Sequence, residues 1–114
     1  MRRRQITKTE AAKRLLKREL VTEERSNGFR RQYYTVDGKL DGEYKRWDSD
    51  GDLLEHYYYK NGKREGEYKA WYSNGQLMAH RYYKNDKLDG EYKSWYDNGQ
   101  LIAHCHYKNG VKVK

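Results

Sequence analysis

A chain of 114 residues holds material for one small domain, but only 35% of it is apolar and 37% is charged, against a usual apolar share of about 45–50%. Its 13 tyrosines and 3 tryptophans set it apart from disordered chains, so the composition excludes a thick aliphatic core and favours a thin structure whose rings bury one side and wet the other. The net charge is +8, the single Cys105 excludes an intrachain disulfide and fits a reducing compartment, and no apolar run is long enough for a membrane span.

Nearly all of the excess charge comes first. Residues 1–32 hold 11 Lys/Arg against 4 Glu, a net of +7, whereas residues 33–114 hold 14 against 13, a net of +1. Met1-Arg2-Arg3-Arg4 has the charge of a signal-peptide start, but no apolar stretch comes after it, so the expected location is cytoplasmic (or within a virus particle or host cytoplasm), not secreted. Residues 1–6 read as a basic tail. Thr7 and Glu10 have capping-box spacing, and Ala11, Ala12, Leu15, Leu16 and Leu20 form a stripe at helical spacing, which predicts a short α-helix over residues 8–20. Tail and helix make a first segment, 1–20, whose leucines would cap the first hairpin of the second segment. Arg2, Arg3, Arg4, Lys13, Arg14, Lys17 and Arg18 are the candidate contacts for an anionic partner: nucleic acid, an acidic protein or a membrane surface.

The second segment, 21–114, repeats with a period of 24 residues. Trp47, Trp71 and Trp95 keep that step, as do Gly42, Gly66 and Gly90, Gly51, Gly75 and Gly99, and Glu43, Glu67 and Glu91. Tyr44, Tyr68 and Tyr92, Lys45, Lys69 and Lys93, and His56, His80 and His104 do the same. A degenerate copy at 21–38 precedes full copies at about 39–62, 63–86 and 87–110. Each copy reads as two strands around Asp50-Gly51, Asn74-Gly75 or Asn98-Gly99, pairs that favour a two-residue type I′ turn; Lys84 to Gly90 reads as a looser link between units. Repeated hairpins without helices between them predict a mainly β fold, a single-layer antiparallel meander.

With a two-residue turn at Asn74-Gly75, one face would carry Tyr72 opposite Leu77, Ala70 opposite Ala79, Tyr68 opposite Arg81 and Tyr83 over Gly66. The other would carry Trp71 opposite Met78, Lys69 opposite His80 and Glu67 opposite Tyr82, with Trp47–Leu54, Trp95–Ile102, Lys45–His56 and Lys93–His104 repeating it. A three-residue turn would shift these partners by one.

The string from Gly90 to Leu101, Gly-Glu-Tyr-Lys-Ser-Trp-Tyr-Asp-Asn-Gly-Gln-Leu, resembles the MORN repeat in its variant form, and the resemblance covers about residues 33–110. That form is familiar from bacterial proteins named as antitoxin components and from large DNA viruses of amoebae. The resemblance implies an elongated single sheet of MORN-like hairpins and a role in protein binding, self-association, scaffolding or lipid contact. It implies no one activity, because a fold hosts many functions.

No enzyme signature emerges. Equivalent histidines of successive hairpins should stand about 9–10 Å apart, too far to share one zinc, so no metal and no cofactor is expected. His104 and His106 share a face, but Cys105 points to the other, which leaves it without a base. The glycines are spaced for turns, not as a phosphate cradle. The rings could stack bases, yet a nearly neutral repeat region is a poor phosphate surface. The expected function is therefore a non-catalytic protein-interaction or scaffold module, built into a larger assembly and binding protein partners, itself included. Its candidate contact face is Trp47, Trp71, Trp95, Leu54, Met78, Ile102, Tyr58 and Tyr82. The alternatives are an antitoxin-like partner of a toxin protein, a minor component of a virus particle, and anionic lipid or nucleic-acid binding through the basic N-terminus.

Overall fold

Strings of alternating aromatic and polar residues, cut at fixed intervals by Gly with Asn or Asp, have only local partners, and they pair with their neighbours in chain order. The computed structural model describes residues 18–114. Eleven strands form one antiparallel sheet: β1 (Glu19–Glu24), β2 (Arg30–Val36), β3 (Lys39–Trp47), β4 (Leu53–Lys60), β5 (Lys63–Arg64), β6 (Gly66–Trp71), β7 (Leu77–Lys84), β8 (Lys87–Leu88), β9 (Gly90–Trp95), β10 (Leu101–Lys108) and β11 (Val111–Val113). The path across the sheet is β1-β2-β3-β4-β6-β7-β9-β10-β11, with β5 paired to β4 and β8 to β7. The radius of gyration is 18.1 Å, against about 13 Å for a compact chain of 100 residues, and the extents of 68 × 43 × 18 Å describe a slab one sheet thick.

Among the described residues there is no helix, and none long and apolar enough to cross a membrane. The expected basic tail and most of the expected helix over 8–20 lie outside the described residues. The last two positions of that helix, Glu19 and Leu20, instead begin β1, where Leu20 pairs with Tyr34.

Two rows of turns flank the sheet, and their types are the reverse of the sequence expectation. The tight type I′ turns lie at the links between units: Asp37-Gly38, Asn61-Gly62, Asn85-Asp86 and Asn109-Gly110 have positive φ at both residues, and the flanking pairs, such as Lys60 with Lys63, close directly on them. At Asn74-Gly75 only Gly75 has positive φ; its N–H donates to the Tyr72 carbonyl at 2.9 Å, and the Tyr72 N–H donates to the Gln76 carbonyl at 2.9 Å. That is a three-residue loop, a type I turn closed by a left-handed glycine. Asn74 chooses it because its Oδ1 accepts the Gln76 N–H at 2.9 Å, and Asn98 does the same for Gln100 at 2.9 Å.

The longer loop corrects the register at the turn end of each hairpin. Tyr72 meets Gln76 and not Leu77, and Trp71 pairs with Leu77 and not Met78. Trp47 pairs with Leu53 and not Leu54, and Trp95 with Leu101 and not Ile102. A bulge at Met78 then absorbs the extra residue, so Ala70–Ala79, Tyr68–Arg81, Lys69–His80, Glu67–Tyr82 and Gly66–Tyr83 pair as expected. Without it, a slip of one residue would turn Ala79 and Tyr83, both buried, out to the opposite face.

The buried side chains, Tyr44, Ala70, Ala79 and Tyr83, share one face. There a ladder of rings crosses the sheet: Tyr33 to Tyr44 at 5.4 Å between centroids, Tyr44 to Tyr57 at 4.8 Å and Tyr57 to Tyr68 at 5.0 Å. The Arg81 guanidinium continues it, 5.0 Å from the Tyr68 ring and 5.2 Å from the Tyr92 ring.

Units are clasped at a kink between the I′ turn and the long arm. The carboxylates of Asp41, Glu65 and Asp89 accept the backbone N–H of Asn61, Asn85 and Asn109, at 3.2, 3.0 and 3.2 Å. Each acid precedes a glycine of positive φ, and at Gly90 φ is +119° with an added Cβ falling 3.3 Å from the Tyr82 Cβ. Gly90→Ala should therefore cost more than about 1 kcal/mol in urea denaturation, against a gain of a few tenths were the backbone ordinary. A chain as stable as its parent would refute that account of the kink.

Candidate functional site

The face opposite the tyrosine ladder is built from the alternate residues of the same strands. On β6 these are Glu67, Lys69 and Trp71; on β7 they are His80 and Tyr82. The hairpin sets Glu67 across from Tyr82 and one step diagonal to His80, and the His80 Nε2–H donates to Glu67 Oε2 at 2.8 Å. His56 and Glu43 make the same bond at 2.9 Å, and His104 and Glu91 at 2.9 Å. Lys45, Lys69 and Lys93 place their ammonium groups 3.7, 3.8 and 3.7 Å from the same glutamates. Hydrogen bonding from His104 holds the Glu91 carboxyl below its usual pKa. Beside each histidine lies a ring two residues on: Tyr58 at 5.1 Å from His56, Tyr82 at 5.2 Å from His80, and His106 at 5.9 Å from His104.

The residues named as a contact face thus occur together on one side, in ladders rather than a pocket. Trp47, Trp71 and Trp95 are half-buried, as are Leu54, Met78, Tyr58 and Tyr82, while Ile102 is exposed. The Arg30 guanidinium sits 4.4 Å above the Trp47 ring. At the β10 end Tyr96, Leu101, Ile102, Val111 and Val113 are about half exposed or more, as is Leu20 on β1.

Of the candidate anionic contacts, Arg2, Arg3, Arg4, Lys13, Arg14 and Lys17 lie outside the described residues. Arg18 is committed within the chain: its Nη2 donates to Asp41 Oδ1 at 2.8 Å, the carboxylate that also clasps the next turn. Cys105 pairs with Tyr92 on the tyrosine face, away from His104 and His106. Asp48, Asp50 and Asp52 come together at one turn, where Asp48 Oδ1 accepts the N–H of Asp50 at 2.9 Å and of Asp52 at 3.0 Å, a turn-capping role.

On the tyrosine face, burial first of all pushes the Tyr57 and Tyr68 hydroxyls far above the ordinary phenol range, and the Glu55 carboxylate that accepts the Tyr68 O–H adds to the shift there. Sequence reasoning missed the Glu–His diagonal: it matched only directly opposed residues. The signal was present, since Glu and His recur together in each of the three full units and diagonal neighbours on a strand pair are within reach of long side chains.

The sequence profile described as MORN repeat variant matches residues 40–61, 64–85 and 88–109. No curated protein shows significant similarity to the chain.

Proposed function

The chain belongs to the MORN repeat variant family, and from that premise we propose that it is a non-catalytic interaction module that assembles through its tryptophan face. MORN repeats are generally associated with protein or membrane interaction. One observation carries the choice of face. Among the described residues the buried side chains all lie on the tyrosine side of the single layer, and Trp47, Trp71 and Trp95 stand half-buried in a row on the other side. Aromatic side chains in that condition are the residue class that anchors protein interfaces. Three copies at fixed spacing offer the same contact three times, so a repetitive partner gains from multivalency, and a second copy of this chain is the simplest repetitive partner.

Light scattering behind size exclusion tests this. The parent chain should elute as a dimer or larger species at tens of micromolar, and Trp71→Arg, at the centre of the row, should shift it towards monomer with its far-UV spectrum intact. A parent chain that stays monomeric at all concentrations, or a variant that assembles as the parent does, refutes the self-association.

A further inference from the structure

The ladder of Glu, His and ring breaks its period once. Units one and two carry Tyr58 and Tyr82 beside the histidine; unit three carries His106. The break lies where a change from phenol to imidazole has a chemical consequence. Glu91 is directly opposite His106 on β9 and β10, and His104 Nε2 is already 2.9 Å from Glu91 Oε2. One ligand atom each from Glu91, His104 and His106 lies within 4.8 Å of the other two.

We propose that Glu91, His104 and His106 form a binding site for one divalent ion of the zinc class. Two imidazoles and a carboxylate are the donor set of open zinc sites, which complete their tetrahedron with water. Ligands about 2.0–2.2 Å from zinc stand a little over 3 Å from one another, so the three side chains close on an ion by rotation alone. Half-exposed side chains have that freedom: His104 is 42% and Glu91 38% accessible. The Lys93 ammonium, 3.7 Å from Glu91 Oε1, neutralises part of the carboxylate but leaves Oε2 on the histidine side. Cys105 faces the other way and is no ligand. The spacing of successive hairpins, about 9–10 Å, excludes one ion shared between units but not this site, whose ligands all belong to a single hairpin.

The preceding units supply the controls. In the full, tag-free chain carrying Cys105→Ser, calorimetric titration with zinc chloride should show one ion per chain, and zinc should raise the melting temperature. His106→Tyr restores the residue of the other two units, so it should keep the fold and lose both effects. Tyr82→His should raise the stoichiometry to two, because Glu67 and His80 repeat the remaining geometry with a bond of 2.8 Å. Absence of zinc binding by the parent, equal binding by the His106→Tyr chain, or one equivalent in the Tyr82→His chain overturns the site.

Discussion

Tyr44→Ala should remove about 3 kcal/mol of stability, a large share of the 5–15 kcal/mol typical of a small domain. Tyr44 is one of the few buried side chains and the centre of the ladder: its ring stacks on Tyr33 at 5.4 Å and Tyr57 at 4.8 Å and meets Tyr59 at 5.9 Å. Its hydroxyl also accepts a hydrogen bond from Arg31 Nη1 at 3.0 Å. A single layer has no second sheet to close over the gap, so the loss of area, of stacking worth about 0.5–1.5 kcal/mol per pair, and of the polar contact fall together. Tyr44→Phe isolates the last of these and should cost about 0.5–1.5 kcal/mol. Tyr96→Ala, at a ring 52% exposed, should change stability by less than about 0.5 kcal/mol. Urea denaturation followed by tryptophan fluorescence ranks the three; if Tyr44→Ala ranked no worse than Tyr96→Ala, the ladder would not be what holds the sheet.

How far the sequence spoke for this fold is visible in single residues. The period of 24 is enough to give hairpins, antiparallel order and a thin slab, because each unit has only its neighbours to pair with. Pairs far from the turn, Tyr68 with Arg81 and Lys69 with His80, follow from the alternation of side chains and agree with the structure. Pairs next to the turn do not. There the outcome depends on whether Asn74 adopts a left-handed backbone or uses its side chain to hold Gln76, and asparagine is suited to both. The bulge at Met78 hides the consequence from any reading based on the rest of the strand. The same Asn-Gly pair at 61–62 takes the other option, with φ of +51° and +81°, because the link between units leaves only two residues for the reversal between Lys60 and Lys63. At the candidate surface the alternation of side chains places the tryptophan row on one face, and the glutamate–histidine diagonal was present in the repeat but is found only when diagonal as well as directly opposed neighbours are matched.

Ala79→Leu carries the second large effect. Ala79 is 2% exposed, the most buried side chain described, and it pairs with Ala70 on β6 and Ser94 on β9, so small residues run in a row across three strands. The expected obstacle is Tyr72, whose hydroxyl donates to the Trp95 carbonyl at 2.7 Å, two strands away, a span of about 9–10 Å that carries the ring across β7. A leucine under that ring has no room, and it must lift the ring off the carbonyl or bend β7, at a cost of about 1–3 kcal/mol. Ala103→Leu makes the same change one unit on, where Tyr96 is exposed, and should cost less. If steric conflict with Tyr72 is the reason, Ala79→Leu combined with Tyr72→Ala should lose less than the two single changes added together. Strict additivity would mean that something other than the tyrosine keeps this row small, and the bond from Tyr72 to Trp95 would then be incidental to how the second and third units hold together.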